Sequence, residues 1–228
     1  MKTTKTRPVV KARKRILIVD DHPITRYGLT QLINQEPDLR VCGDTESAQQ
    51  ALTAIKTAQP DLVLADITMP GRSGLEFVKD MQAQYPHVPV LVMSMHDESI
   101  YAERVLRAGG RGYIMKNEGG EKLLEAVRHV LQGQVYVSKN MAASLLDVLT
   151  RPHSRANEAT PGALSDREFE VFQLIGQGLA VRQIGRRLNL SVKTVGTHRL
   201  HIRQKLNLRT GPELIQHAVR WAAAQQLV

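Results

Sequence analysis

The chain has one cysteine, Cys42, in 228 residues. A single thiol excludes an internal disulfide framework and a cysteine-rich zinc site. Long apolar runs are also missing, and nothing approaches the ~18 uninterrupted apolar residues of a membrane-spanning helix. The basic N-terminus leads only to a short apolar run, Ile16 to Val19, stopped by two aspartates. No signal peptide is therefore expected. There is no internal repeat. Acidic residues are absent from residues 1–15 and 182–209, where basic ones are dense. The remaining composition, 42% hydrophobic and 23% charged, excludes wholesale disorder. The length suits two modest domains of roughly 100–200 residues or less. A cytoplasmic, soluble, two-domain protein with no membrane partner is expected.

The net charge of +9 is unevenly spread: +7 over residues 1–15, −5 over 16–150 and +7 over 151–228. An acidic body with a basic C-terminal third points to two jobs, the second toward a polyanion. From residue 16, short apolar runs (16–19, 39–42, 62–65, 88–93 and 112–115) alternate with amphipathic stretches near 23–35, 46–58, 73–84, 98–108 and 118–132. Five strands each followed by a helix predict an α/β domain with a five-stranded parallel sheet between helix layers. A further amphipathic helix is predicted over 138–149. The polar stretch 151–162, punctuated by proline and glycine, reads as a linker. Beyond it the pattern is purely helical: 166–177, 181–188, 192–206 and 211–224, a small four-helix bundle.

Ligands of an open parallel sheet bind beyond the carboxyl ends of its strands. Five chemically active residues fall there: Asp20 and Asp21 after the first strand, Asp66 after the third, Ser94 at the end of the fourth and Lys116 after the fifth. Each alone reads as a helix-start acid, a turn residue or a solvated cation. Together they fit phosphoryl chemistry. Clustered carboxylates call for a hard cation such as Mg²⁺, and an aspartate among them can act as nucleophile toward phosphorus. The ammonium and hydroxyl suit the oxygens of the transferred group.

The segments Ile-Leu-Ile-Val-Asp-Asp-His (16–22), Asp-Ile-Thr-Met-Pro-Gly (66–71), Leu-Val-Met-Ser (91–94) and Gly-Tyr-Ile-Met-Lys (112–116) resemble a response-regulator receiver domain, which is flavodoxin-like. The resemblance implies that Asp66 is the phosphoacceptor and that Asp21, Asp66 and the Thr68 backbone carbonyl ligate Mg²⁺, with Asp20 acting mainly through water. It also implies that Ser94 and Lys116 contact the phosphoryl group, and that Tyr113 is an aromatic switch moving inward when Ser94 engages it. The phosphoryl donor would be a sensor histidine kinase. Thr68 and His96 lie where this family tunes the lifetime of the aspartyl-phosphate.

Eight basic residues and no acid fall between Arg182 and Arg209. Ile184 and Leu188 supply the apolar stripe of one short helix, Asn189-Leu190-Ser191 a tight turn, and Ser191 the cap of a second. Val195, Ile202 and Leu206 form that helix's inner side, a helix-turn-helix arrangement. The segments Leu-Ser-Asp-Arg-Glu-Phe-Glu-Val-Phe (164–172), Ile-Gly-Arg-Arg-Leu (184–188), Ser-Val-Lys-Thr-Val-Gly-Thr-His (191–198) and Ile-Arg-Gln-Lys-Leu (202–206) resemble the LuxR/FixJ-type domain, and the whole chain is similar to NarL-type regulators. Lys193, Gly196, Thr197, Leu200, His201 and Gln204 are expected to face outward. Lys193 and Thr194 are assigned to phosphates, Thr197 with Leu200 or His201 to base edges, and Arg182, Arg199 and Arg203 to the DNA backbone. His198 and Lys205 complete the candidate DNA-binding set. Gly185, where the family usually has alanine, should loosen its helix by up to ~1 kcal/mol.

The expected divisions are a basic tail (1–13), a receiver (14–135), a linker helix with flexible linker (136–162) and the helix-turn-helix domain (163–228). The expected partners are double-stranded promoter DNA, the kinase, RNA polymerase and, once phosphorylated, a second copy of the chain, through a surface including 212–225. The resemblance further implies that the unphosphorylated receiver covers the recognition helix. A metal-dependent phosphohydrolase is disfavoured, because it would carry an aspartate where Thr68 stands. A DNA-binding regulator that uses the receiver only as a docking platform, without phosphorylation, is the stronger rival.

Overall fold

The computed structural model describes residues 12–69, 73–150 and 161–226. Most of the expected basic tail (1–11), residues 70–72 and most of the expected linker (151–160) lie outside the described residues. Five strands, β1 (Lys14–Val19), β2 (Leu39–Thr45), β3 (Leu62–Asp66), β4 (Val90–Ser94) and β5 (Gly112–Met115), form one parallel sheet in the order β2-β1-β3-β4-β5. Helices α1 (Pro23–Gln35), α2 (Ala48–Ala58), α3 (Gly74–Gln84), α4 (Glu98–Arg107) and α5 (Gly120–Leu131) follow the strands in turn.

The strands are apolar on both sides because both faces are covered. Ile16, Ile18, Leu62, Leu64, Leu91, Met93 and Ile114 pack with residues of α1 and α5, including Ile33, Leu123 and Val127. The alternate residues Leu17, Val19, Val63, Ala65, Val90, Val92 and Tyr113 join Ala51, Phe77 and Val105 of α2, α3 and α4. Four strands differ from the expected bounds: β1 starts two residues earlier, at Lys14, and β3 takes in Asp66. β2 runs three residues further, past Cys42, which bulges where the pairing with β1 slips between Ile16 and Leu17. β4 starts later, because Val88 closes a turn on Tyr85 instead of joining the ladder.

The predicted linker helix, α6 (Lys139–Thr150), is more than a spacer. Tyr136 pairs along the edge of β5, the Ser138 N–H donates to the Glu98 carboxylate at 2.7 Å, and Met141 is buried. After a short 3₁₀ turn, Pro161–Ala163, come α7 (Asp166–Gly176), α8 (Val181–Leu188), α9 (Val192–Lys205) and α10 (Gly211–Gln226). α7 opens with a reciprocal capping box between Ser165 and Glu168. Phe169, Phe172, Ile184, Val195, Ile202, Leu214 and Ala218 make the core of the bundle.

The receiver and the bundle meet along α4 and α7. Arg104 donates to the carbonyls of Pro161 and Leu164, at 2.8 and 3.0 Å, and to Asp166 at 3.1 Å. Its guanidinium also lies 4.3 Å from the centre of the Phe169 ring. Lys79 of α3 reaches Asp166 at 2.6 Å. Tyr101 meets Phe169 edge-on at 5.5 Å and donates its hydroxyl proton to Gln173. Hydrogen bonds from a charged donor each contribute about 1.5–3 kcal/mol where water is excluded, and Arg104 is mostly covered.

Gly185 corrects one expectation. A Cβ there would sit 2.8 Å from the Leu190 carbonyl oxygen, because the turn folds back so that Leu190 N–H bonds the Gly185 carbonyl at 2.8 Å. Glycine permits this close approach, so it tightens the α8–α9 turn at the expense of helix propensity. Gly185→Ala is expected to destabilise the C-terminal domain by roughly 1–3 kcal/mol net. Urea unfolding followed through Trp221, the chain's one tryptophan, measures it; a variant as stable as wild type would contradict the packing argument.

Candidate phosphoryl pocket and nucleic-acid interface

The sheet order reverses between β1 and β3, so the crevice opens at their carboxyl ends. Asp20 and Asp21 follow β1 directly, and Asp66 is the last residue of β3. Asp20 is fully buried and Asp66 is 3% exposed. Ionised carboxylates at such depth need counter-charge. Lys116, just past β5, supplies it: its ammonium donates to Asp20 at 2.7 Å and to Asp66 at 2.9 Å. Burial works against the Lys116 charge, yet these two carboxylates hold its pKa above the usual lysine value. Burial likewise pushes the Asp66 carboxyl above the normal range, with Lys116 only partly offsetting it.

The backbone around Asp66 is closely packed. Thr68 N–H donates to its carboxylate at 3.3 Å, and Gly74 at the start of α3 lies so near that a Cβ would meet the Asp66 carbonyl oxygen at 2.7 Å. Asp20, Asp21, His22 and Asp66 offer ligand atoms that all lie within 4.8 Å of one another. His22 was not among the residues singled out from the sequence. Its backbone N–H and ring Nδ1 bond Asp20, and Nδ1 lies 2.8 Å from Asp21. Three carboxylates against one ammonium form the oxygen-rich, anionic set that suits a hard divalent cation.

Ser94 is buried at the end of β4, its Oγ accepting the His96 N–H at 3.1 Å. The expected inward movement of Tyr113 does not apply in this state. Its ring is already fully buried, and its hydroxyl donates to the His96 carbonyl at 2.7 Å. Burial keeps that phenol well above the usual tyrosine pKa, so it remains a donor. The His96 ring lies 3.1 Å from the Thr68 hydroxyl, and burial, with Arg187 and Lys116 nearby, lowers its pKa.

In the second constellation, α8 ends on Asn189 in the left-handed conformation and Ser191 caps α9 by accepting the Thr194 N–H. Val195, Ile202 and Leu206 are buried, as their spacing predicts. Lys193, Gly196, Thr197, Leu200, His201 and Gln204 are exposed. Contrary to the masking expectation, the receiver rests on α7 and leaves this face of α9 open, with Leu200 45% exposed. Arg182 is exposed, while Arg199 and Arg203 are half-buried beside the outward face. Lys205 turns back to Glu168 of α7 at 2.7 Å, with His201 3.7 Å from the same carboxylate. Against the cost of burial, Lys205 and Ser165 hold Glu168 below the usual carboxylate range. His198 is half-buried, and burial with Arg167 nearby lowers its pKa.

A doubly wound sheet with an acidic crevice, joined to a helix-turn-helix bundle, defines a response regulator with a DNA-binding output. Residues 16–128 match the response regulator receiver domain, and residues 162–218 match the luxR family of bacterial regulatory proteins. The chain belongs to the NarL/FixJ family of two-component response regulators, transcription regulators rather than conventional enzymes. It is 35% identical over 210 residues to the oxygen regulatory protein NreC of Staphylococcus carnosus, covering 90% of this chain and 97% of that one. Its likeness to NreC of Staphylococcus aureus is similar, at 36%. Among solved structures, RcsB from Salmonella enterica serovar Typhimurium, bound to promoter rprA with the phosphomimetic BeF₃⁻, matches with a TM-score of 0.65 at 22% identity over 91% of this chain and 98% of that one. A LuxR-family response regulator from Aurantimonas sp. SI85-9A1 matches at 29% identity, with a TM-score of 0.57, over 61% of this chain and 100% of that one. Among the described residues, no helix is long and apolar enough to cross a membrane.

The raised pKa of Asp66 gives a testable sign. Its ionised form is penalised in the folded state, so the penalty is absent in acid and grows as pH rises through the carboxylate range. Metal-free Asp66→Asn is therefore expected to melt higher than wild type at neutral pH, the gap closing as pH falls. Added Mg²⁺ should raise the melting temperature of wild type more than that of the variant. Calorimetry across pH checks this, and a variant that melts lower at neutral pH contradicts it.

Proposed function

We propose that Asp66 is phosphorylated by a sensor histidine kinase and that phosphorylation promotes dimerisation and promoter binding. The observation that carries this reading is the pairing, in one chain, of the Asp20–Asp66–Lys116 cluster with an outward-facing basic recognition helix. An Asp66 carboxylate oxygen attacks phosphorus. The bond from phosphorus to the donor imidazole nitrogen breaks, and that nitrogen takes up a proton. Lys116 turns from the carboxylates to a phosphoryl oxygen, and the Ser94 hydroxyl donates to another. Asp21, Asp66 and the Thr68 carbonyl would hold Mg²⁺, with Asp20 acting through water. That ion would offset charge on the transferred group. Thr68 and His96, in contact at the rim, set how readily water reaches the acyl phosphate.

On the DNA side, Lys193 and Thr194 contact phosphates, Thr197 with Leu200 or His201 meets base edges, and Arg182, Arg199 and Arg203 grip the backbone. His198 and Lys205 act from the flanks, Lys205 after leaving Glu168. Dimerisation uses α10, where Ile215 and Val219 are exposed. Two recognition helices then address two half-sites, as a two-fold protein requires. The promoter-bound RcsB structure, containing BeF₃⁻, supports both halves of this reading by analogy. The working divisions are a tail (1–13), receiver (14–135), linker helix and linker (136–162) and output domain (163–228), in a cytoplasmic regulator that meets RNA polymerase at the promoter.

The open face of α9 favours a second reading, in which DNA is bound without phosphorylation and the receiver is a docking platform. DNA binding and oligomeric mass, measured with a small phosphodonor plus Mg²⁺ in wild type and Asp66→Asn, separate the two. The expected result is a gain of one phosphoryl group, dimers and at least tenfold tighter promoter binding in wild type alone. Equal binding by both proteins, with no phosphoryl gain, establishes the second reading. Independently, Lys193→Ala should weaken binding to all sequences alike and reduce the salt dependence by about one counterion.

A further inference from the structure

We propose that Leu200, with Gly196 beside it, reads the methyl group of a thymine in each half-site, so that this chain selects part of its DNA target by apolar contact. The inference rests on the reading of α9 as the recognition helix and adds the base that it recognises.

Gly196 has no reason within the fold. Glycine inside a helix costs about 1 kcal/mol relative to alanine. That cost is warranted where φ is positive or where another group must come close. The Gly196 backbone is ordinary right-handed helix, and a Cβ on it would meet nothing within 4 Å. Gly185 is the opposite case, with the Leu190 carbonyl oxygen 2.8 Å from its Cβ position. The fold needs Gly185 and has no use for Gly196. A bare backbone on the exposed side of α9 serves a surface outside the chain, which it allows to approach closely.

Leu200 follows Gly196 by one turn, on the side of α9 opposite the buried Ile202, and is 45% exposed. Val192, one turn before Gly196, is also exposed. The strip Val192–Gly196–Leu200 therefore carries no side-chain hydrogen-bonding atom. A cavity of about 300 Å³ opens beside it, lined by Gly196, Leu200, Gly211 and the half-buried Arg199 and Arg203. The Arg203 Nε is buried there without a hydrogen-bond partner. One wall is apolar and the other cationic, which fits a nucleotide with its methyl toward Leu200 and its phosphate toward the arginines.

Of the four bases, only thymine presents an apolar group, its C5 methyl, in the major groove. Against guanine or cytosine, Leu200 would cover donors and acceptors without pairing them, which is unfavourable. The same side chain thus attracts thymine and rejects the alternatives.

Duplexes that the full chain, with beryllofluoride and Mg²⁺ present, selects from a random-sequence pool supply the probe. Each selected thymine is then replaced in turn by deoxyuridine, which lacks only the methyl. One replacement per half-site is expected to weaken binding about fourfold, the effect of burying one methyl. Leu200→Ala should be indifferent to that replacement, and Leu200→Lys should select guanine in place of that thymine. Gly196→Ala has room for its Cβ and gains helix propensity, so it should melt higher than wild type. It should nevertheless bind the selected duplexes about fivefold or more weakly, the cost of forcing a methyl into a close contact.

Selected duplexes without a methyl-sensitive thymine overturn the inference. Methyl sensitivity that survives in Leu200→Ala overturns the assignment to Leu200. A Gly196→Ala protein that melts higher and binds like wild type overturns the part given to Gly196. A full chain that enriches no duplex overturns the DNA-binding reading, and the inference with it.

Discussion

One ammonium group organises the receiver. Asp20 and Asp66 come from strands that are neighbours only in the folded sheet, and both are buried where a lone carboxylate would be costly. Lys116 reaches them from a third strand and bonds both. Removing that ammonium would cost on the order of 3–5 kcal/mol, because the buried carboxylates left behind would have lost their counter-charge. The same arrangement leaves an excess of negative charge facing the crevice. That excess makes the site receptive to a cation and primes Asp66 against solvation, so the constraint that shapes the fold locally also creates its chemistry.

The bundle is joined to the same side of the receiver. Ser94 and Lys116 lie at the ends of adjacent strands, and the segment after Ser94 leads directly into α4, whose far face carries Tyr101 and Arg104.

Much of this was legible in the chain. The alternation of apolar runs with amphipathic stretches located all five strands and ten helices, and strand-end acids located the pocket. Helical spacing separated Val195, Ile202 and Leu206 from the outward residues of α9. The failures have a common origin in contacts between segments distant in sequence. Gly185 reads as a weak helix residue until the Leu190 carbonyl is seen above it. Lys205 reads only as a DNA contact until Glu168 is found beside it. His22 has no role in the sequence reading until its ring is found beside three carboxylates. The covering of α9, inferred from family resemblance, fails because the receiver engages a different helix.

The sequence by itself therefore determined the two-domain class, the type and order of the elements along the chain and the chemical character of both surfaces. These follow from periodicity and residue type, which are local properties of a chain. Tertiary structure alone decided that Lys116 bridges Asp20 and Asp66, that Tyr113 is already turned inward and that Arg104 and Tyr101 hold α7 rather than α9. Each of these depends on a distance between residues tens of positions apart. Such distances are set by how whole elements pack, and no local pattern encodes them.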